Sequence, residues 1–381
     1  MALKYLYVPS AYKAATAYGV LPNAAAADLT FGRGSNGSRI NKDKLIETES
    51  SNVPRLDYSS GSCPTLFTEI SVTNLLTESE NFTDSDWSKA NSTVTANATI
   101  DPQGGNNGFL VSLNTSQAYL NQAVSFLAEA TTFSVYLKSP TVAGTYPLNW
   151  YAANGGAHHR ELVNVTTEWK RFEINFTPTG LGSRFIYIGD NRGAIGETLS
   201  SVYAWGAQVE SSAKATSYIK TEASTVTRSA DTGIVSGDLS SYINSTEGVL
   251  EFKASRSALK TAVISLSSSL TSGDNSVSLG FTSSATVLFH KILSSGSDVI
   301  STTPSTISVD LTQMNVVKLK WKDGDFQAKI NDTVFTIAEA GGSLPFAATL
   351  KYLRIGYPND TSQDFAGAIQ YIKVYDSASD F

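Results

Sequence analysis

The sequence predicts an all-β fold, with two β-sandwich (jelly-roll) domains preceded by a largely irregular N-terminal attachment segment. Three observations carry this. From residue 74 onward, short runs of alternating apolar and polar residues recur between Gly, Pro or Asn, the pattern of sandwiches whose turns come roughly every 8 to 12 residues. Only 16% of residues are charged, against roughly 25% in ordinary globular domains, so hydroxyls and amides carry the surface polarity. Such a surface suits pleated strands and tight turns. Finally, after Val209 the β pattern dissolves into Ser, Thr, Ala and Lys before resuming near residue 230. The boundaries that follow are 1–73, 74–228 and 229–381.

Within the first segment, PSAYKAATAYGVLP predicts a short helix capped by Ser10 and ended by Gly19. The remainder, with Pro54, Gly61 and Pro64 among scattered apolar residues, has no periodicity of its own. Such a segment is expected to lie along another surface, of its own chain or of a partner. In the second, Phe133, Val135 and Leu137 alternate with polar neighbours, as do Phe172, Ile174 and Phe176. In YAWGAQVE, Tyr203, Trp205, Ala207 and Val209 are expected to share one face of a strand. The polar run after it reads as a connection between sandwiches. In the third, GVLEFKAS, NSVSLGF, VVKLKWK and AGAIQYIKVYD are strands, and Asp323-Gly324 marks a hairpin. Val317, Leu319 and Trp321 face one way there, and Lys318, Lys320 and Lys322 the other. Trp205 and Trp321 are both expected in cores.

A net charge of −6 provides no basic field for phosphates, which argues against nucleic acid as a partner. No apolar run reaches the length of a spanning helix, and the N-terminus lacks the apolar core of a signal peptide. Cys63 is the only cysteine, so no intrachain disulfide is available. Gly32, Gly34 and Gly37 spell a G-x-G-x-x-G, but no helical stripe follows, and a glycine-rich turn is the better reading.

The sites with chemical content are loops. Trp150, Tyr151, His158, His159 and Arg160 lie close together, and Asp190, Asn191 and Arg192 cluster in GDNRGAIGE. Sugars bind by stacking on flat aromatics while imidazole, amide and guanidinium groups bond to hydroxyls. The competing reading places Trp150 or Tyr151 in the core and the polar residues in solvent-facing turns. Glu78, Glu80, Asp84 and Asp86 supply oxygen ligands for a structural calcium, or simply form a solvated acidic turn. No E-x-D-x-E strand, G-x-S-x-G elbow or histidine-rich metal constellation is present, so no catalytic residue is assigned and the protein is expected not to be an enzyme.

Four stretches, PSAYKAATAYGVLP, DLTFGRGSNGSRINKDKLIETESSNVPRLDY, SCPTLFTEISVTNLLTESENF and YAWGAQVE with the later SYIKT and STVTRSAD, together resemble the tailed-bacteriophage virion surface proteins. In that group an attachment segment precedes carbohydrate-binding-module-like and concanavalin-like domains. The last 150 residues resemble a laminin-G or concanavalin-type sandwich through GVLEFKAS and FAGAIQYIKVYD. The resemblance implies a head fibre, a capsid decoration or a tail receptor-binding component. It also implies a homotrimer, attachment to capsid or tail proteins through residues 1–73, cell-surface glycans as partners, and localisation on the virion surface. It adds Glu210 as a calcium ligand. No coiled-coil heptad or β-helix repeat supports a self-sufficient spike. The alternatives are a polysaccharide depolymerase and a cellular carbohydrate-binding adhesin.

Overall fold

The computed structural model describes residues 2–126, 129–152, 158–178, 182–192, 195–257, 262–282, 287–300, 305–306, 309–358 and 365–381. The chain is all-β, built from antiparallel sheets, and divides into two units. One comprises residues 1–44, 48–71 and 229–381, and the other residues 45–47 and 72–228.

The second unit is a sandwich of two five-stranded sheets. One runs in the order Trp87–Ala90, Tyr119–Phe126, Gly182–Asp190, Gly144–Ala152, His158–Val165. The other runs Ser92–Thr99, Gly108–Leu113, Ser201–Glu210, Thr131–Lys138, Lys170–Phe176. The alternation read from the sequence sets what lies between them: Phe133, Val135, Leu137, Phe172, Ile174 and Phe176 all join the core.

YAWGAQVE departs from that simple reading. Tyr136 pairs with Trp205 and Ser134 with Gln208, so Val135 faces two residues and the strand bulges at Gly206, whose φ is +62°. A bulge inverts the side-chain parity beyond it. Val202 and Ala204 before the bulge, and Ala207 and Val209 after it, therefore reach the core. Trp205 is fully buried on the other face, against Tyr218 and Tyr136 with centroids 4.5 and 5.6 Å away. The expected shared face of Tyr203, Trp205, Ala207 and Val209 is thus corrected.

The polar run after this strand is also corrected: it belongs to the second unit and covers the strand's outer face. Glu210 accepts hydrogen bonds from the Thr216 amide and hydroxyl, and Gln208 accepts one from the Ile219 amide at 2.8 Å. The chain then closes the unit by pairing Val226–Arg228 with Val72–Asn74.

The first unit contains the other sandwich. Its central strand Glu247–Arg256 pairs with Asn315–Lys322 and with Gly367–Tyr375, and the second sheet includes Ala262–Ser267, Ser276–Phe281 and Val287–Ser294. The Asp323-Gly324 turn forms as expected, with Gly324 at φ +70° and the Asp325 amide donating to the Lys322 carbonyl. Trp321 is fully buried in the core with Val317 and Leu319.

Residues 1–71 are not a separate attachment arm. Leu3–Tyr7 and Thr65–Thr68 both pair with Gly367–Tyr375, and Leu29–Gly32 pairs with Thr232–Ser236. Tyr5, Tyr7, Leu29, Phe31, Leu56 and Leu66 fill the first unit's core. The helix expected around residues 10–19 is instead a pair of two-residue strands, Tyr12–Lys13 and Thr16–Ala17, because Thr16 and Ala17 pair with Thr30 and Leu29. Sheet pairing has overridden local propensity here.

The glycine-rich stretch has a structural use. Arg33 within it is buried and donates to Asp231 at 3.0 Å and to the carbonyls of Ser35, Ser50 and Val53. A Cβ on Gly37 would stand 3.0 Å from the Arg33 Nε. Asp231 also holds Arg55, which pairs with Glu69 at 2.6 Å. The four charges are essentially excluded from solvent.

Candidate functional site

The first five-stranded sheet of the second unit turns one face to the core and the other outward. Leu120, Val124, Ile186, Ile188, Tyr146, Leu148, Val163 and Val165 point inward. Register then fixes three rows on the outward face. The first runs Ala123, Phe185, Tyr151, and the second Asn121, Tyr187, Asn149, Arg160. A register shift at Gly189, whose φ is +84°, brings Asp190 opposite Tyr119 at the head of the third row. Ala123 and Ser125 are exposed, and Tyr119, Tyr151 and Phe185 are half-buried.

In the first row Tyr151 and Phe185 lie nearly parallel, 20° apart with centroids at 6.5 Å. Phe185 is 6.4 Å from Tyr187, which meets Tyr119 edge-on at 5.8 Å. Tyr187 is only 3% exposed, so the accessible rings of this cluster are the half-buried Tyr119, Tyr151 and Phe185.

Asp190 organises the polar side. Its carboxylate accepts from Asn149 Nδ2 at 2.8 Å, Arg160 Nη2 at 3.2 Å, Arg192 Nε at 2.9 Å and Arg192 Nη2 at 3.1 Å. Burial pushes this carboxyl's pKa up, but the hydrogen bonds from Arg192 and Asn149 outweigh it and hold the group below the usual carboxylate range. The Arg192 guanidinium lies over the rings of Tyr119 and Tyr187, at 4.4 and 4.9 Å from their centroids. Burial raises the Tyr187 pKa, and Arg192 opposes the rise.

The residues singled out from sequence separate into two groups. Tyr151, Arg160, Asp190 and Arg192 converge on the outward face, and the side chain of His158 lies outside the described residues. Trp150 and His159 point to the opposite face, where Trp150 stacks on Phe176 at 4.5 Å. Asn191 is turned away to the Thr115 carbonyl, so it anchors the loop. Tyr119, Asn121, Asn149, Phe185 and Tyr187 were not singled out. Their signal is the off-core half of the alternation in YLNQAV, YPLNWY and RFIYIGD.

The carboxylates expected to share calcium do not converge. Glu78 and Glu80 line a pocket of about 490 Å³ with Asn81, Asn107, Phe109, Lys220, Thr221 and Glu222. Lys220 bridges Glu222 at 2.6 Å and Glu80 at 3.4 Å, so the pocket carries its own cation. Asp84 accepts from the Asp86 amide in an exposed turn, Asp86 from the Thr77 hydroxyl, and Glu210 is bound to Thr216. Among the described residues no group of three His, Cys, Asp or Glu side chains is placed to hold a metal ion. This donor set does not fit a calcium site.

No family model matches the chain, and no curated protein matches it. Solved structures similar to it match at low identity and low TM-score. The family 11 carbohydrate-binding module from Clostridium thermocellum, in complex with a β-1,3-1,4-mixed-linked tetrasaccharide, is 14% identical over 41% of this chain and 99% of its own, with a TM-score of 0.24. The tandem family 22 modules of Paenibacillus barcinonensis Xyn10C are 11% identical over 80% and 98%, with a TM-score of 0.29. The tailspike protein 4 enzymatically active domain of bacteriophage CBA120 is 15% identical over 36% of this chain, with a TM-score of 0.27. The chain spans only 21% of that tailspike domain.

Proposed function

We propose that the second unit is a glycan-binding module and that the outward face of its first sheet is the binding surface. The observation that carries this is the nearly parallel, half-buried aromatic couple Tyr151 and Phe185 beside the partly exposed guanidinium groups of Arg160 and Arg192, which Asp190 holds in place. Aromatic faces supply apolar contact to a sugar ring, and guanidinium groups held in place bond to its hydroxyls at little entropic cost. Binding proceeds without catalysis in this reading. Among the described residues of the three rows the only carboxylate is Asp190, and it is tied to two arginines and an asparagine, whereas glycoside hydrolysis uses two carboxylates facing one bond.

The test is affinity electrophoresis of the full chain in gels containing bacterial surface polysaccharides. At least one should retard it, and Tyr151→Ala and Phe185→Ala should each weaken binding about tenfold with an unchanged circular dichroism spectrum. Retardation indifferent to both substitutions would sink the assignment of this face. New reducing ends appearing during incubation would overturn the non-catalytic reading.

The setting we infer is the surface of a tailed-bacteriophage virion, as a head fibre, capsid decoration or tail receptor-binding component. The resemblance of residues 9–231 supports it. Display as a homotrimer would multiply weak sugar contacts through effective concentration. Antibody against the chain should label purified virions, and light scattering should give three times the chain mass of 40.6 kDa. Unlabelled virions would remove the setting, and a monomer the multivalency.

A further inference from the structure

We propose that the face selects an acidic glycan, and that Arg192 reads its carboxylate or sulfate group. The inference rests on the glycan-binding reading above.

Among the described residues, the three rows and the loop after Asp190 carry two guanidinium groups, Arg160 and Arg192, against the single carboxylate of Asp190. The Asp190 side chain has no exposed surface, and its negative charge is spent beneath the face. Arg192 keeps 32% of its side-chain surface exposed. What an approaching ligand meets is therefore positive, on a chain whose net charge is −6.

The geometry of Arg192 adds specificity to that charge. Its Nε and Nη2 donate to Asp190. A guanidinium carries five N–H donors, so three remain after these two. Among the described residues no other carboxylate pairs with Arg192. Stacking on Tyr119 and Tyr187 fixes the plane of the group. A planar, weakly hydrated guanidinium held this way is suited to grip two oxygens of one anion. Because Tyr187 adjoins Phe185 at 6.4 Å, a sugar stacked on Phe185 and Tyr151 would carry its ring substituents toward this row. A neutral sugar would leave the spare donors to water, so the acidic group is what Arg192 can distinguish.

The experiment measures binding of the full-length protein by isothermal titration to two matched pairs. One is polygalacturonate and its carboxyl-reduced derivative, and the other is chondroitin sulfate and its desulfated form. The acidic member of at least one pair should bind at least tenfold more tightly, and the pair affected identifies which anion is read. Arg192→Gln should abolish that preference, and Arg192→Lys, which keeps the charge but not the fork, should restore less than half of it. Equal affinities within both pairs, with Tyr151→Ala still abolishing binding, would overturn the selection of acidic glycans while leaving the glycan site intact. Failure of every polymer, acidic and neutral, would overturn both.

Discussion

At the scale of single residues, the structure turns on buried charges whose partners lie far apart in sequence. Asp231 accepts from Arg33, Arg55 and the Glu69 amide, 198, 176 and 162 residues away. Asp231→Ala would remove the carboxylate that buried Arg33 and Arg55 share, and breaking such a network by removing one partner costs about 3 to 5 kcal/mol. Urea denaturation of the first unit should show that loss, and a loss below about 1 kcal/mol would mean that water replaces the carboxylate. FGRG, VPRLDY, FTEI and RSAD each occur in the stretches that carry the bacteriophage resemblance, yet no local pattern shows that they meet. His290 offers a second test. It is 3% exposed, and burial depresses its pKa from 6.5 to about 4. The unfolded chain thus binds a proton that the folded chain refuses, so this contribution to stability is complete above pH 6.5 and is lost as pH falls toward 4. The loss attributable to His290 should be about 2 kcal/mol at pH 5. Comparing denaturation midpoints at pH 7.5 and 5 for the parent and His290→Leu checks it, because only the parent carries this increment.

At the scale of elements, period-two alternation was enough to find most strands and to orient Phe133, Val135, Leu137, Val317 and Leu319. It could not locate the bulge at Gly206, since one inserted residue leaves the composition unchanged while inverting every side chain after it. That bulge placed Trp205 under the strap of residues 211–221 rather than between the sheets. The candidate site was legible in part for the same reason: Tyr151 and Arg160 stood out in a polar hairpin, whereas Tyr187 and Phe185 look like ordinary strand residues until the register shows which face they occupy. Gly206→Val tests the bulge. A β-branched residue at φ +62° is strained, and its Cβ would stand 3.2 Å from the Tyr218 ring and 3.3 Å from Tyr136. Together these should cost the second unit about 2 to 4 kcal/mol. Trp205→Ala should cost about 3 to 5 kcal/mol in the same unit. A melting temperature equal to the parent's in either variant would contradict the described packing.

At the scale of the whole molecule, the chain is one sandwich interrupted by another. The first unit leaves off at Ser71 and resumes at Ser229, and the second unit's ends come together where Val72 pairs with Arg228. No local pattern shows that residues 1–71 and 229–381 share one core, because pairing across some 160 intervening residues leaves no local periodicity. The arrangement separates the consequences of truncation. The core of the second unit draws every member from between Leu76 and Val209, and all three rows of the candidate site lie in the same stretch. A fragment of residues 72–228 should therefore unfold cooperatively and retain glycan binding within about threefold of the full chain. Residues 229–381 alone lack Tyr5, Tyr7, Leu29, Phe31, Leu56 and Leu66 from their core, together with the strands Leu3–Tyr7 and Thr65–Thr68. They also leave Asp231 without either arginine. That fragment should give no cooperative transition by calorimetry, and adding a peptide of residues 1–71 should restore one. A sharp, independent transition in residues 229–381 would show that the N-terminal strands are an accessory to a sandwich complete without them.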